Sequence, residues 1–380
     1  MNPRKIRLPF SWPIALVLGG MVVRADAALG QLVPLRLDPA VLGYFLPALI
    51  FEAAWDFDAA LLRSTAIAIT ALAVPGVVIT MFIVAGGVLF SRTLDWAPAL
   101  VLGAIVSATD PVAVLALFRR LRMPPKLLAI VEGESVANDG VAVVLVQALV
   151  AVTAGGLAMS LTAVAGRIMS VSLGGMLVGV VIAIPLGWLL RRLPPLWVQA
   201  AITVVIAYGS YVLAQRAGFS GIFASVAAGL VAPAFAGYTG RDDATRLRVE
   251  RFWDVAAWVA NAALFFLVGL NLRVEWLVRA PLLSAAALLA VLLARVILAY
   301  VLVPLRSLTD APGAWRHVIA LAGLRGGLSL ALALGLPFAF PQRAQVLYAT
   351  AAIVFATLVV QGLLTPQLVR RLVPSDSGAC

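Results

Sequence analysis

From Pro9 to Leu372 the chain is a succession of apolar runs, most long enough to cross a bilayer, separated by short polar breaks. A spanning helix needs ~20 predominantly apolar residues, and in hydrocarbon every backbone amide must find its partner inside the protein. Repeated runs of this length therefore specify an all-α integral membrane protein, and the breaks leave no stretch for a separate soluble domain. The composition agrees, with 63% hydrophobic and 12% charged residues.

Twelve helices are predicted, at about 9–24, 41–57, 65–90, 97–118, 127–152, 160–190, 196–215, 219–237, 253–272, 280–304, 316–337 and 344–368. An even number puts both termini on one side. Arg4, Lys5, Arg7, Arg119, Arg120, Arg122, Lys126, Arg191, Arg192, Arg370 and Arg371 all fall on that side, and the opposite connections carry fewer basic residues. Lys and Arg are retained in the cytoplasm, so both termini are expected there, with the protein in the inner membrane of the cell. The formal charge of +11 is thus a topology signal with an affinity for lipid headgroups, not a nucleic-acid footprint. A single cysteine, Cys380, and a single histidine, His317, exclude a disulfide framework and any Cys or multi-His metal centre. No P-loop pattern occurs, so the energy of any transport must come from an ion gradient. Neither enzymatic catalysis nor a resident cofactor is expected.

Charge inside a membrane costs several kcal/mol, which makes each ionisable residue within a run a functional candidate. These are Glu52, Asp110, Glu132, Glu134, Asp139, Arg295 and Arg325, whereas Asp254 is expected at a helix start, in water. The fifth helix carries Glu132-Gly133-Glu134-Ser135-Val136-Ala137-Asn138-Asp139-Gly140. Helical spacing stacks Ser135 on Asp139 and Glu134 on Asn138, four apart. A hydroxyl and a carboxylate are the hard oxygen ligands that a dehydrated alkali cation needs, and Asp139 can instead hold a proton. The alternative is that these groups only join helices by hydrogen bonds, which Ser135 and Asn138 alone would fit.

Ser107-Ala108-Thr109-Asp110-Pro111 interrupts the fourth helix. Pro111 lacks a donor and turns Asp110 away from helical geometry, which predicts a break within the membrane. Such breaks free carbonyls to ligate a cation, the Thr109 carbonyl here, and Asp110 would offset converging helix N-termini. The alternative is a simple proline kink with Asp110 as its cap. Gly323-Leu324-Arg325-Gly326-Gly327 predicts a second break in the eleventh helix, where Arg325 would offset converging C-termini. Arg295 needs a carboxylate, since an unpaired buried guanidinium is costlier than a paired one; Glu134 is its expected partner and Asp110 the fallback. One break in each half points to inverted repeats, about 9–152 and 196–371 within a single transmembrane domain, with about 160–190 as the linker.

Five motifs in order, Phe51 to Asp58, Ser107 to Val114, Glu132 to Gly140, Phe265 to Leu270 and Gly323 to Gly327, resemble the sodium/proton antiporters of the cation/proton antiporter superfamily, in their NhaP-type and animal NHE branch. The resemblance spans nearly the whole chain. It implies a thirteen-helix fold with crossed broken helices, a homodimer, and electroneutral exchange of one cation for one proton by an elevator-like movement. By position, Asp139 resembles the aspartate that binds ion and proton, with Asn138 its motif neighbour and Ser135 and the Thr109 carbonyl further ligands. Asp110 matches the charged residue at the helix crossing, Arg325 the arginine of the second broken helix, and Glu134 with Arg295 the structural ion pair. Glu52 matches a glutamate lining the ion path. Against the family pattern, the first helix is expected to be missing and no regulatory domain is expected after Arg371.

The expected activity is exchange of Na⁺, Li⁺ or K⁺ for protons, with both cargoes competing for Asp139. A cation channel using the same carboxylates without proton coupling is the alternative.

Overall fold

The computed structural model of the chain describes residues 12–25, 39–121, 123–154, 161–192, 196–238, 244–302 and 314–372. The expected cytoplasmic segments carrying Arg4, Lys5 and Arg7, and the last residues of the chain, lie outside them, as does Arg122. The described residues are helical, in the order α1 (Trp12–Ala25), α2 (Pro39–Asp56), α3 (Ala59–Ala73), α4 (Pro75–Phe90), α5 (Trp96–Ile105), α6 (Val112–Arg120), α7 (Pro125–Thr153) and α8 (Leu161–Leu190). There follow α9 (Leu196–Arg216), α10 (Gly221–Phe235), α11 (Ala244–Asn271), α12 (Val274–Arg279), α13 (Pro281–Ile297), α14 (Ala314–Leu321), α15 (Gly327–Leu334), α16 (Arg343–Phe355) and α17 (Gly362–Leu372). Among the described residues, seven continuous helical stretches are long and apolar enough to cross a membrane, α3 with α4 forming one and α16 with α17 another, and α1, α5 and α10 are shorter apolar helices.

Each predicted run corresponds to a helix or to a pair of consecutive helices. One boundary moved far: the ninth run was expected from about 253, yet α11 begins at Ala244. The charged stretch that reads as a loop is stabilised as helix by Arg246 Nε donating to Glu250 Oε1 at 2.9 Å, an i,i+4 pair with both members largely buried. Asp254 is consequently inside a helix and half-buried, not at a wet start.

The described residues divide into two compact units, those within 40–60 and 157–264 in the first, and those within 12–39, 61–156 and 265–372 in the second. These units are a different division from the two expected repeats. In the first, α8 packs on α10 through small residues: a Cβ on Gly175 or Gly179 would strike the backbone of Ser220 or Ala224. Close backbone approach of this kind supplies the dispersion contact that holds helices together where lipid competes for apolar surface. Phe51 lies between Trp55 and Trp253, with ring centroids 5.5 and 4.8 Å away, and Trp253 Nε1 donates to Thr203 Oγ1 at 3.0 Å.

The second unit contains both interrupted helices. Residues 106–111 separate α5 from α6, and residues 322–326 separate α14 from α15. Pro111 caps α6 without an amide to donate, while Gly326 takes an extended conformation at the start of α15.

Candidate ion-binding site

The two interruptions meet. Asp110 N–H donates to Leu324 O at 2.8 Å, joining the extended backbone of one directly to that of the other. Each interrupted helix leaves carbonyls at its C-terminal end and amides at the next N-terminal end without helical partners. At the N-termini, Asp110 Oδ1 accepts from Val112 N–H at 3.0 Å in the first turn of α6. A Cβ on Gly326, the residue capping α15, would collide with the same carboxylate. One negative charge thus sits at two positive helix ends.

The opposite charge lies at the C-termini. Arg325 is 1% exposed, and its Nη1 donates to Ser107 O at 2.6 Å and Ala108 O at 3.0 Å, beyond the end of α5. Ser329 Oγ donates to Ile105 O at 2.9 Å on the same end. Arg295 performs the matching task on α14, with Nε donating to Ile319 O at 3.0 Å. Its two terminal nitrogens form a bidentate pair with Glu134, Nη2 to Oε2 at 2.9 Å and Nη1 to Oε1 in a short contact. Gly323 leaves the room for this guanidinium, because a Cβ there would come within 2.7 Å of Arg295 Nε.

α7 runs alongside the first interruption and braces it. Asn138 uses both ends of its amide on one residue: Nδ2 donates to Thr109 Oγ1 at 2.7 Å, and Oδ1 accepts from Thr109 N–H at 3.3 Å. Ser135 Oγ donates to Thr109 O in a short hydrogen bond. Two residues expected as separate cation ligands, Ser135 and Thr109, are therefore bonded to each other, and Asn138 holds the broken backbone. One helical turn beyond Ser135, Asp139 Oδ1 is buried with no hydrogen-bond partner. A carboxylate oxygen in that condition is costly unless it takes up a proton or a cation. Ser135 Oγ keeps its acceptor lone pairs while donating its proton, so the hydroxyl can still ligate a cation.

Around this point stand three carboxylates, Asp110, Glu134 and Asp139, and two guanidinium groups, Arg295 and Arg325. With every group ionised the set carries one uncompensated negative charge, which one proton or one monovalent cation neutralises. Glu132 is outside this balance, since Arg119 Nη2 lies 3.4 Å from its Oε1. Glu52 belongs to the first compact unit, where its carboxylate gathers with Asp56 and Asp254, all within 4.8 Å of one another. Sequence reasoning did not find that cluster, because Asp254 was read as the start of a helix. It also passed over Ser329, Thr357 and Gln361, uncharged polar residues in apolar runs whose only signal was their presence there.

Two interrupted helices that meet, with a charged residue at each pair of helix ends and a buried carboxylate oxygen without a partner beside them, are the architecture of an integral membrane transporter. The sodium/hydrogen exchanger transmembrane family model matches residues 6–371, and the chain belongs to that family. Among relatives, it is 34% identical over 335 residues to the Na⁺/H⁺ antiporter ApNhaP of Aphanothece halophytica, covering 87% of this chain and 64% of that protein. It is 32% identical to the Na⁺/H⁺ antiporter NhaP of Pseudomonas aeruginosa, covering 98% of this chain and 93% of that one. The fold is similar to that of the sodium proton antiporter MjNhaP1 of Methanocaldococcus jannaschii, with a TM-score of 0.72 at 18% identity over 95% of this chain and 91% of that chain.

Proposed function

We propose that this protein exchanges Na⁺ for H⁺ across the membrane, with Asp139 as the group that the two cargoes share. The observation that carries the reading is the buried Asp139 Oδ1 without a donor, one turn from Ser135 and beside the paired Glu134 and Arg295. Either cargo neutralises the single excess charge, and the empty, charged form is too costly to cross the membrane interior. Competition for one carboxylate then couples the two fluxes. Membership of the exchanger family and the names of the relatives support Na⁺ as the cation, with Li⁺ and K⁺ as further candidates.

The family resemblance supports one-for-one, electroneutral exchange by an elevator-like movement, and a homodimer in the lipid. Inverted repeats of about 9–152 and 196–371 fit the reciprocal way the two interruptions satisfy each other. The basic connections support cytoplasmic termini and an inner-membrane location. Ser135 and the Thr109 carbonyl join Asp139 as ligands once the Ser135 proton turns away, and Glu52 lines the route the ion takes.

The test is proton movement in sealed proteoliposomes with the membrane potential clamped, adding Na⁺, Li⁺, K⁺ and choline in turn. Dissipation of an imposed pH gradient by Na⁺ but not by choline is the expected result. Cation flux without proton movement would replace exchange with a channel.

A further inference from the structure

The second interruption has a brace of its own, supplied by the end of the chain. α16 does not continue into α17 as regular helix: residues Ala356–Gln361 form a π-turn, a form that is rare and concentrated at functional sites. Both of its strongly polar side chains reach the interruption. Thr357 Oγ1 accepts from Arg325 N–H at 3.1 Å while donating to Ile353 O at 2.9 Å in its own helix. Gln361 Nε2 donates to Leu321 O at 3.1 Å, at the end of α14. One turn therefore grips the interruption at two points, Leu321 at its edge and Arg325 within it.

The arrangement parallels what α7 does to the first interruption through Asn138 and Ser135. Its consequence differs, because the residue held is the buried arginine itself. Arg325 has Nη1 engaged at Ser107 O and Ala108 O, whereas its Nε is buried without a partner. The nearby Asp139, with which it interacts electrostatically, has a carboxylate oxygen without a donor. An unsatisfied donor and an unsatisfied acceptor in one dry site attract each other, and the hydrogen bonds on Arg325, those of its Nη1 to Ser107 O and Ala108 O and that of its backbone N–H to Thr357, oppose that attraction.

We propose that Thr357 and Gln361 are positioning residues for ion exchange: by fixing the second interruption at these two points, they keep the Arg325 guanidinium on the α5 carbonyls and off the Asp139 carboxylate. This rests on the reading of Asp139 as the shared ion site. Released from Thr357, Arg325 turns toward Asp139 and competes with the incoming cation. Affinity for the cation then falls, while the movement of the loaded site is unaffected.

The experiment reconstitutes the full chain as wild type, Thr357→Val, Thr357→Ser and Gln361→Leu, and measures Na⁺-driven proton movement over a range of Na⁺ concentrations. Losing one hydrogen bond worth about 1 kcal/mol corresponds to about a five-fold change in an equilibrium constant. Thr357→Val and Gln361→Leu are expected to raise the apparent KM for Na⁺ about five-fold or more. Turnover at saturating Na⁺ should stay within about two-fold of wild type, as for a lost binding contribution. Thr357→Ser, which keeps the hydroxyl, should behave as wild type. A merely structural role would instead lower turnover or thermal stability with KM unchanged, and that outcome in either variant overturns the proposal. Gln361→Leu decides the matter alone if Thr357→Val does not fold. A wild type that moves no protons on Na⁺ addition would refute the exchange reading itself, and this inference with it.

Discussion

Arg295 holds two parts of the core at once, which makes its loss a quantitative test of the site's architecture. In Arg295→Met the Glu134 carboxylate, 2% exposed, loses both guanidinium hydrogen bonds, and Ile319 O loses one of its two donors, keeping Ala322 N–H at 3.2 Å. Removing one member of a buried ion pair costs about 3–5 kcal/mol. Losing the guanidinium hydrogen bond at Ile319 O adds about 1 kcal/mol. The total of roughly 4–6 kcal/mol is comparable to the ~5–15 kcal/mol stability of a typical domain, so the folded yield should fall sharply. Glu134→Gln strands a buried guanidinium and should also cost several kcal/mol. The double variant removes both charges and leaves a neutral amide in place of the buried Glu134 carboxylate, so it should be more stable than Arg295→Met, with a coupling energy of at least ~2 kcal/mol. Thermal unfolding in detergent, followed by survival of the monodisperse peak on size exclusion, measures all four forms of the cycle. A double variant that loses the sum of the single losses would show that Glu134 and Arg295 do not act as a pair, and a stable Arg295→Met would refute the capping of α14 as well.

Asp139→Asn should abolish Na⁺-driven proton movement yet give more folded protein than Arg295→Met, because Asp139 Oδ1 makes no hydrogen bond that the fold depends on; retained exchange would remove Asp139 from the site. Competition sets the pH dependence: while the carboxylate is mostly protonated, each unit rise in pH should lower the apparent KM for Na⁺ about tenfold, and a KM independent of pH in acid would refute a shared site. Gly326→Ala drives a Cβ into the Asp110 carboxylate and should reduce both exchange and thermal stability, whereas Gly166→Ala, with open space around it, should change neither.

The helices and both interruptions were legible in the sequence because their causes are local: apolar runs of membrane length, Pro111 after Asp110, and three glycines around Arg325. The same holds for the candidate carboxylates, since charge within an apolar run is conspicuous. The start of α11 was not legible, because the charged stretch around Arg246 and Glu250 becomes helical through a pair that only the fold buries. Nor was the π-turn, whose register change carries no compositional mark, nor the hydrogen bond from Ser135 to Thr109 O between two residues that sequence treats as independent ligands. Arg295 illustrates the division: its need for a carboxylate follows from charge alone, but its second task at Ile319 O depends on where α14 ends.

Each interrupted helix completes the other. The first lends Asp110 to the amide end of α15, and the second lends Arg325 to the carbonyl end of α5. Neither segment has a satisfied backbone by itself, so a ribosome that has released only the first has made something the membrane cannot keep in final form. Maturation of the centre must wait for the last quarter of the chain. Separately encoded halves should regain a native centre only when both are synthesised together in one membrane.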